Sequence, residues 1–156
     1  MKLLLNLSIL ALFFSSPSFG EPEKLRVLSE QLGVAAGRLL KGANHVIGNN
    51  PRHKQQVAYE PMTSLHNSAH RFEEIVHSGS MSHAQNLLVV SAFQQVKQDT
   101  AHAREAFLNL FPIMDDHPAL EGLEQRMRNC ELLILDIFEN LPTALPEKSG
   151  RQTEGS

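Results

Sequence analysis

Apolar side chains recur every third or fourth residue along most of this chain, and no stretch alternates convincingly with period two. That is the pattern of amphipathic helices. Leu25, Leu28, Leu32, Ala35, Leu39 and Ala43 form a first seam. Pro22 suits the first helical position, where its missing N–H costs nothing, and Gly48-Asn49-Asn50-Pro51 supplies a turn. The spacing predicts a helix over 22–46. Met62, Leu65, Ala69, Phe72 and Val76 predict a second over 61–78, stopped by Gly79.

The third seam is Val89, Phe93, Val96, Ala103, Phe107 and Leu110. Ser82 and Gln85 stand at capping-box spacing before it, and Pro112 ends it. The fourth is Leu120, Leu123, Met127, Cys130, Ile134, Ile137 and Leu141, closed by Pro142 and Pro146. Asp115 and Asp116 stand at the positive end of that helix, and capping is the better account of Asp115-Asp116-His117 than chemistry. Residues 51–60 fit either a short helix opened by Pro51 or an irregular connection, with Pro61 interrupting or restarting the helix.

Four such helices joined by short turns predict an all-α fold, an up-down-up-down four-helix bundle over residues 21–142. A three-helix core with an irregular first connection is the alternative. The segment 143–156 is polar and punctuated by Gly and Pro, the composition of a disordered tail.

The first twenty residues follow different rules. Lys2 precedes an apolar run from Leu3 to Phe14, Pro17 breaks it, and Ser18-Phe19-Gly20 puts small residues where signal peptidase reads. A charged start, a short apolar core and a small-x-small exit predict a signal peptide over 1–20, cleaved before Glu21, and a periplasmic or secreted product. The run is shorter than the ~20 residues a bilayer span needs, and no later run is long enough.

Removing the first twenty of the 156 residues leaves 136, enough for one domain. The formal net charge of −3 becomes −4 once Lys2 is gone. With no basic stripe, that balance argues against nucleic acid, whose phosphates call for clustered Lys and Arg. Cys130 is the single cysteine, so no disulfide framework within the chain is available. Its place on an apolar seam predicts a small buried hydrophobe rather than a reactive thiol.

Eight histidines are many for this length. His66, His70 and His77 share the second helix with Glu73 and Glu74. His66, His70, Glu73 and His77 fall within about 60° of one another on a helical wheel, flanking the apolar seam by about 90°. His66 and His70 have the i, i+4 spacing of helical two-histidine metal sites. His77 lies one further turn pair along, roughly 10 Å from His70, so one ion cannot take the whole row. The candidate metal ligands are therefore His66 and His70, with Glu73 or Glu74 as a third, for zinc, copper or nickel. His77 could instead pair with His83 across the turn, and His45, His53 and His117 are expected at the opposite end. His102 is expected to face solvent. The same row could serve as a pH-responsive patch, since imidazole titrates near 6.5.

No other chemistry stands out. Covalent haem needs Cys-x-x-Cys-His, and the sequence around Cys130 reads Arg128-Asn129-Cys130-Glu131-Leu132. Nucleophile elbows and phosphate-cradling loops are absent. Gly33, Gly37 and Gly42 each weaken a helix by up to ~1 kcal/mol relative to Ala and are expected where a neighbouring helix comes close. The expectation is a non-enzymatic bundle, with no certain cofactor. It binds either a metal ion or a protein partner, a second copy included, or else it is a structural module whose histidines are incidental. An exposed apolar patch would favour the protein partner.

Overall fold

Four helices carry every described residue of the computed structural model except short flanks; it describes residues 22–47, 53–79, 82–110 and 119–142. They are α1 (Pro22–Ile47), α2 (His53–Ser78), α3 (His83–Leu110) and α4 (Ala119–Glu139). The expected signal segment 1–20, the Asp115-Asp116-His117 cap and the tail 143–156 lie outside the described residues.

The apolar seams meet in one core. Every seam residue expected on α2 is buried, and so are Leu120 to Ile137 on α4. Phe72, Phe93 and Phe107 are the largest wholly buried side chains, and the Phe72 and Phe93 rings pack with centres 5.9 Å apart. On α1 Ala36 and Ala43 are fully enclosed, while Ala35, expected on the seam, only packs against the core's edge. On α3 the gap between Val96 and Ala103 is filled by Thr100, whose hydroxyl donates to the Val96 carbonyl at 2.8 Å. Donation to the i−4 carbonyl lets a hydroxyl enter the core without an unmet hydrogen bond.

Residues 53–60 are helical. α2 begins at His53 and continues through Pro61. An interior proline costs about 3 kcal/mol. Tyr59, Met62 and Leu65 stand on both sides of it and pack into the core. Burying each stabilises by about 1.5–3 kcal/mol, so packing outweighs the break. The turn into α3 is also specific. Ser82 Oγ accepts from the Gln85 N–H at 3.2 Å, the expected cap. The Gln85 side chain does not complete the capping box; it donates instead to the Ile75 carbonyl at 2.6 Å, tying α3 to the end of α2. It lies where a side chain on Gly79 would stand, so a larger residue there would displace Gln85 from the Ile75 carbonyl.

Contacts pair the helices unequally. α1 packs along α2 and along α4, and α2 along α3, whereas α3 and α4 barely touch. On α1, Glu30, Gly33 and Gly37 face His77, Glu73 and His66 of α2 in turn, so numbers rise on one helix as they fall on the other. Across the α3–α4 seam stand an Arg104–Glu131 ion pair at 3.5 Å and the Phe93 and Phe138 rings, 6.5 Å apart with their planes at 28°. No helix among the described residues is long and apolar enough to cross a membrane.

Cys130 is wholly enclosed, and burial followed by the adjacent Glu131 charge pushes its thiol up to about 12. A neutral, enclosed thiol is a poor nucleophile. In native buffer at pH 8, Cys130 should resist a thiol reagent such as dithionitrobenzoate, and labelling should follow the urea unfolding curve. Native labelling as fast as a free thiol's would contradict the packing described.

Candidate functional site

The histidine row lies where α2 crosses the thinnest face of α1. Gly33 and Gly37, one turn apart, leave room that side chains would fill. A Cβ on Gly33 would stand 2.6 Å from Glu73 Oε2 and 3.7 Å from His70 Cε1; one on Gly37 would stand 3.4 Å from His66 Cε1. The cost of two helical glycines thus has a local reason: the polar flank of α2 rests directly on the α1 backbone. This is the close approach expected from the glycine spacing, and what approaches is a group of polar side chains.

The structure brings three of the five candidate ligands together. The His66 and His70 rings stand edge to face, their centres 4.6 Å apart and their planes at 78°. Glu73 Oε2 lies 3.2 Å from His70 Nδ1. His66 Nδ1 is buried without a hydrogen-bond partner. Glu74 is exposed to solvent, apart from this group. His77 is taken by α1, its Nε2 being 3.3 Å from Glu30 Oε1, rather than paired with His83, which is exposed. Among the described residues no group of three or more His, Cys, Asp or Glu is disposed to hold a metal ion. The row is a two-histidine pair with a carboxylate on one member.

The other histidines are scattered. His45 is exposed beside an open groove between α1 and α4 lined by Gly42, Leu123 and Arg126. His102 is exposed on α3, as expected. The side chains of His53 and His117 lie outside the described residues.

A second surface has no counterpart in the candidate residues. Leu132, Leu135 and Phe138 are 58–60% exposed on successive turns of α4. Leu133, Ile134 and Ile137 occupy the inner side of the same turns. The end of α4 is therefore apolar all round, apart from Asp136, which is the condition of a helix covered on every side. An open groove of about 570 Å³ between α1 and α4 adds Val34, itself 54% exposed, to this surface. The signal was present in the run Leu132-Leu133-Ile134-Leu135-Asp136-Ile137-Phe138, which overfills a single seam.

Comparison with known proteins supplies no analogue: no family model matches the chain, and no curated protein or solved structure resembles it significantly.

Burial first, and then the neighbouring His70, hold the His66 imidazole below its ordinary 6.5. On the α1 side the ring meets Gly37, which offers no charge. The unfolded chain therefore takes up this proton at higher pH than the folded one. The contribution is fully present above pH 6.5 and is lost as the pH falls below it. Urea unfolding at pH 7.5, 6.5 and 5.5 should show a steeper acid loss of stability in the wild type than in His66→Gln. Equal slopes would remove His66 from the account.

Proposed function

We propose that the chain is an exported, non-enzymatic helical-bundle binding protein that acts through protein contact, the contact surface being the apolar end of α4. The exposure of Leu132, Leu135 and Phe138 carries this reading. Large apolar side chains on successive turns of one helix form a patch of the kind that marks interaction surfaces. Export is supported by the charged start, short apolar core and small-x-small exit of residues 1–20. The opposed running of α1 against α2 and the short connections support an up-down-up-down order. A periplasmic or secreted location follows from the same reading.

A second copy of the chain is the occupant that the charges favour. The outward stripe of α4 reads Arg128, Leu132, Leu135, Glu139, all four exposed. An antiparallel copy whose twofold axis falls between the leucines sets Leu132 against Leu135, and Arg128 against Glu139, twice over. The stripe is thus complementary to itself, as a twofold interface requires. In the single chain Arg128 turns back to Glu124 at 2.9 Å, a surface pair worth little.

The magnitudes favour a weak dimer. Covering the remaining exposed halves of six large side chains stabilises by roughly 6–9 kcal/mol. Association costs at least about 4 kcal/mol in lost freedom. The larger gain set against the smaller cost leaves about 5 kcal/mol, a dissociation constant of about 0.2 mM.

Sedimentation equilibrium of the exported protein, from micromolar to millimolar concentration, tests this. Leu135→Asp should abolish self-association while leaving the circular dichroism unchanged. Arg128→Glu and Glu139→Arg should each weaken it, and the double exchange should restore it. A chain that stays monomeric to 1 mM, or a Leu135→Asp variant that still dimerises, overturns the second-copy assignment.

A further inference from the structure

We propose that His66 and His70 together ligate one divalent late transition-metal ion, with Glu73 orienting His70 rather than binding the ion. The site is on the α1–α2 seam, remote from the α4 face, and does not depend on the contact proposed there.

The ring spacing is the first support. A metal–nitrogen bond of about 2.0–2.1 Å places an ion about 3.2 Å from an imidazole centre. Two rings bound cis, at about 90–110°, then have centres about 4.5–5.2 Å apart. The observed 4.6 Å falls in that window. Two histidines one turn apart on a helix often diverge; here the floor of Gly33 and Gly37 lets both rings stand over the same stretch of α1.

The second support is the carboxylate. Glu73 at 3.2 Å from His70 Nδ1 favours a proton on that nitrogen and leaves the lone pair on Nε2. A carboxylate behind a ligating imidazole is the usual outer-shell partner, fixing the tautomer and raising basicity. This assigns Glu73 a role behind the ligand.

The third support is His66 Nδ1. A buried nitrogen without a hydrogen-bond partner keeps its lone pair unengaged by the protein, as a ligand atom must. Two imidazoles with water in the remaining positions suit copper, nickel or zinc, for which imidazole is a preferred ligand. Such an incomplete shell predicts micromolar rather than nanomolar affinity. His77, engaged by Glu30, stands outside the site and serves as a control.

Calorimetric titration of tag-free exported protein with Cu(II), Ni(II) and Zn(II) chlorides tests the assignment, with copper also read by electron paramagnetic resonance. One equivalent is expected, with nitrogen hyperfine structure from two imidazoles. His66→Ala and His70→Ala should each weaken binding at least 100-fold, and His77→Ala should not change it. Glu73→Gln should weaken it about 10–100-fold and keep the two-nitrogen signature. Gly33→Ala, whose methyl displaces the Glu73 carboxyl without touching either ring nitrogen, should mimic Glu73→Gln. Binding no tighter than millimolar, or unchanged in the histidine variants, overturns the site. A loss in Glu73→Gln as large as in His70→Ala overturns the orienting role. Circular dichroism of each variant separates these results from unfolding.

Discussion

The bundle depends on how closely α1 receives its two neighbours, α2 on one side and α4 on the other, while α2 in turn carries α3. With one cysteine and no disulfide within the chain, the bundle is held by what these interfaces bury. α1 serves two partners because it is narrow. Ala36 and Ala43 face the core, and glycines at 33, 37 and 42 thin its flanks. The Gly42 flank admits α4: Arg126 reaches across it, and its guanidinium donates to the Arg38 carbonyl at 3.0 Å. The Gly33 and Gly37 flank admits the polar side of α2. Each glycine weakens α1 as an isolated helix, and each brings a neighbour near enough for the loss to be offset by contact.

Drawing α2 and α4 toward α1 leaves α3 held mainly by α2. The α3–α4 seam is therefore thin, and a single arginine spans its middle. Arg104 pairs with Glu131 and lies 5.7 Å over the Phe107 ring. Nearer the end of α4, Phe138 meets Phe93 with one face and leaves the rest to solvent. The exposed end of α4 is the geometric consequence of the close seams on α1. A bundle with four equal seams would have used those leucines inside.

The seams that alternate cleanly between apolar and polar were legible from the residues alone, and the core follows them nearly position by position on α2 and α4. Three features were not. Pro61 breaks a local rule that distant packing by Tyr59 and Met62 overrides, and single-residue propensity carries no information about that packing. Gln85 has two acceptors within reach, and the choice of the Ile75 carbonyl over its own helix start depends on where α2 ends. His77 has a partner in Glu30 because of the α1–α2 register, which a wheel drawn for one helix cannot show. The pairing of His66 with His70 was legible, since it lies within one helix. The role of Glu73 was only half so: its spacing places it near His70, but facing Nδ1 rather than a shared ion is a matter of side-chain direction.

Two surfaces remain that a plain bundle does not require, and they differ in how they tolerate change. The α4 face is made of side chains that contribute little to the fold, because half or more of each is already in water. Its substitution should separate contact from stability. The α2 flank is less separable. His66 is part-buried on Gly37, and Glu73 occupies the space above Gly33, so its polar groups are also packing groups. Larger residues at 33 or 37 would have given a firmer α1, at about 1 kcal/mol each, and closed the space. A sequence selected only for bundle stability has no reason to leave that space open. The glycines opposite the histidines, more than the histidines themselves, are what set this seam apart from a chance row on a histidine-rich chain.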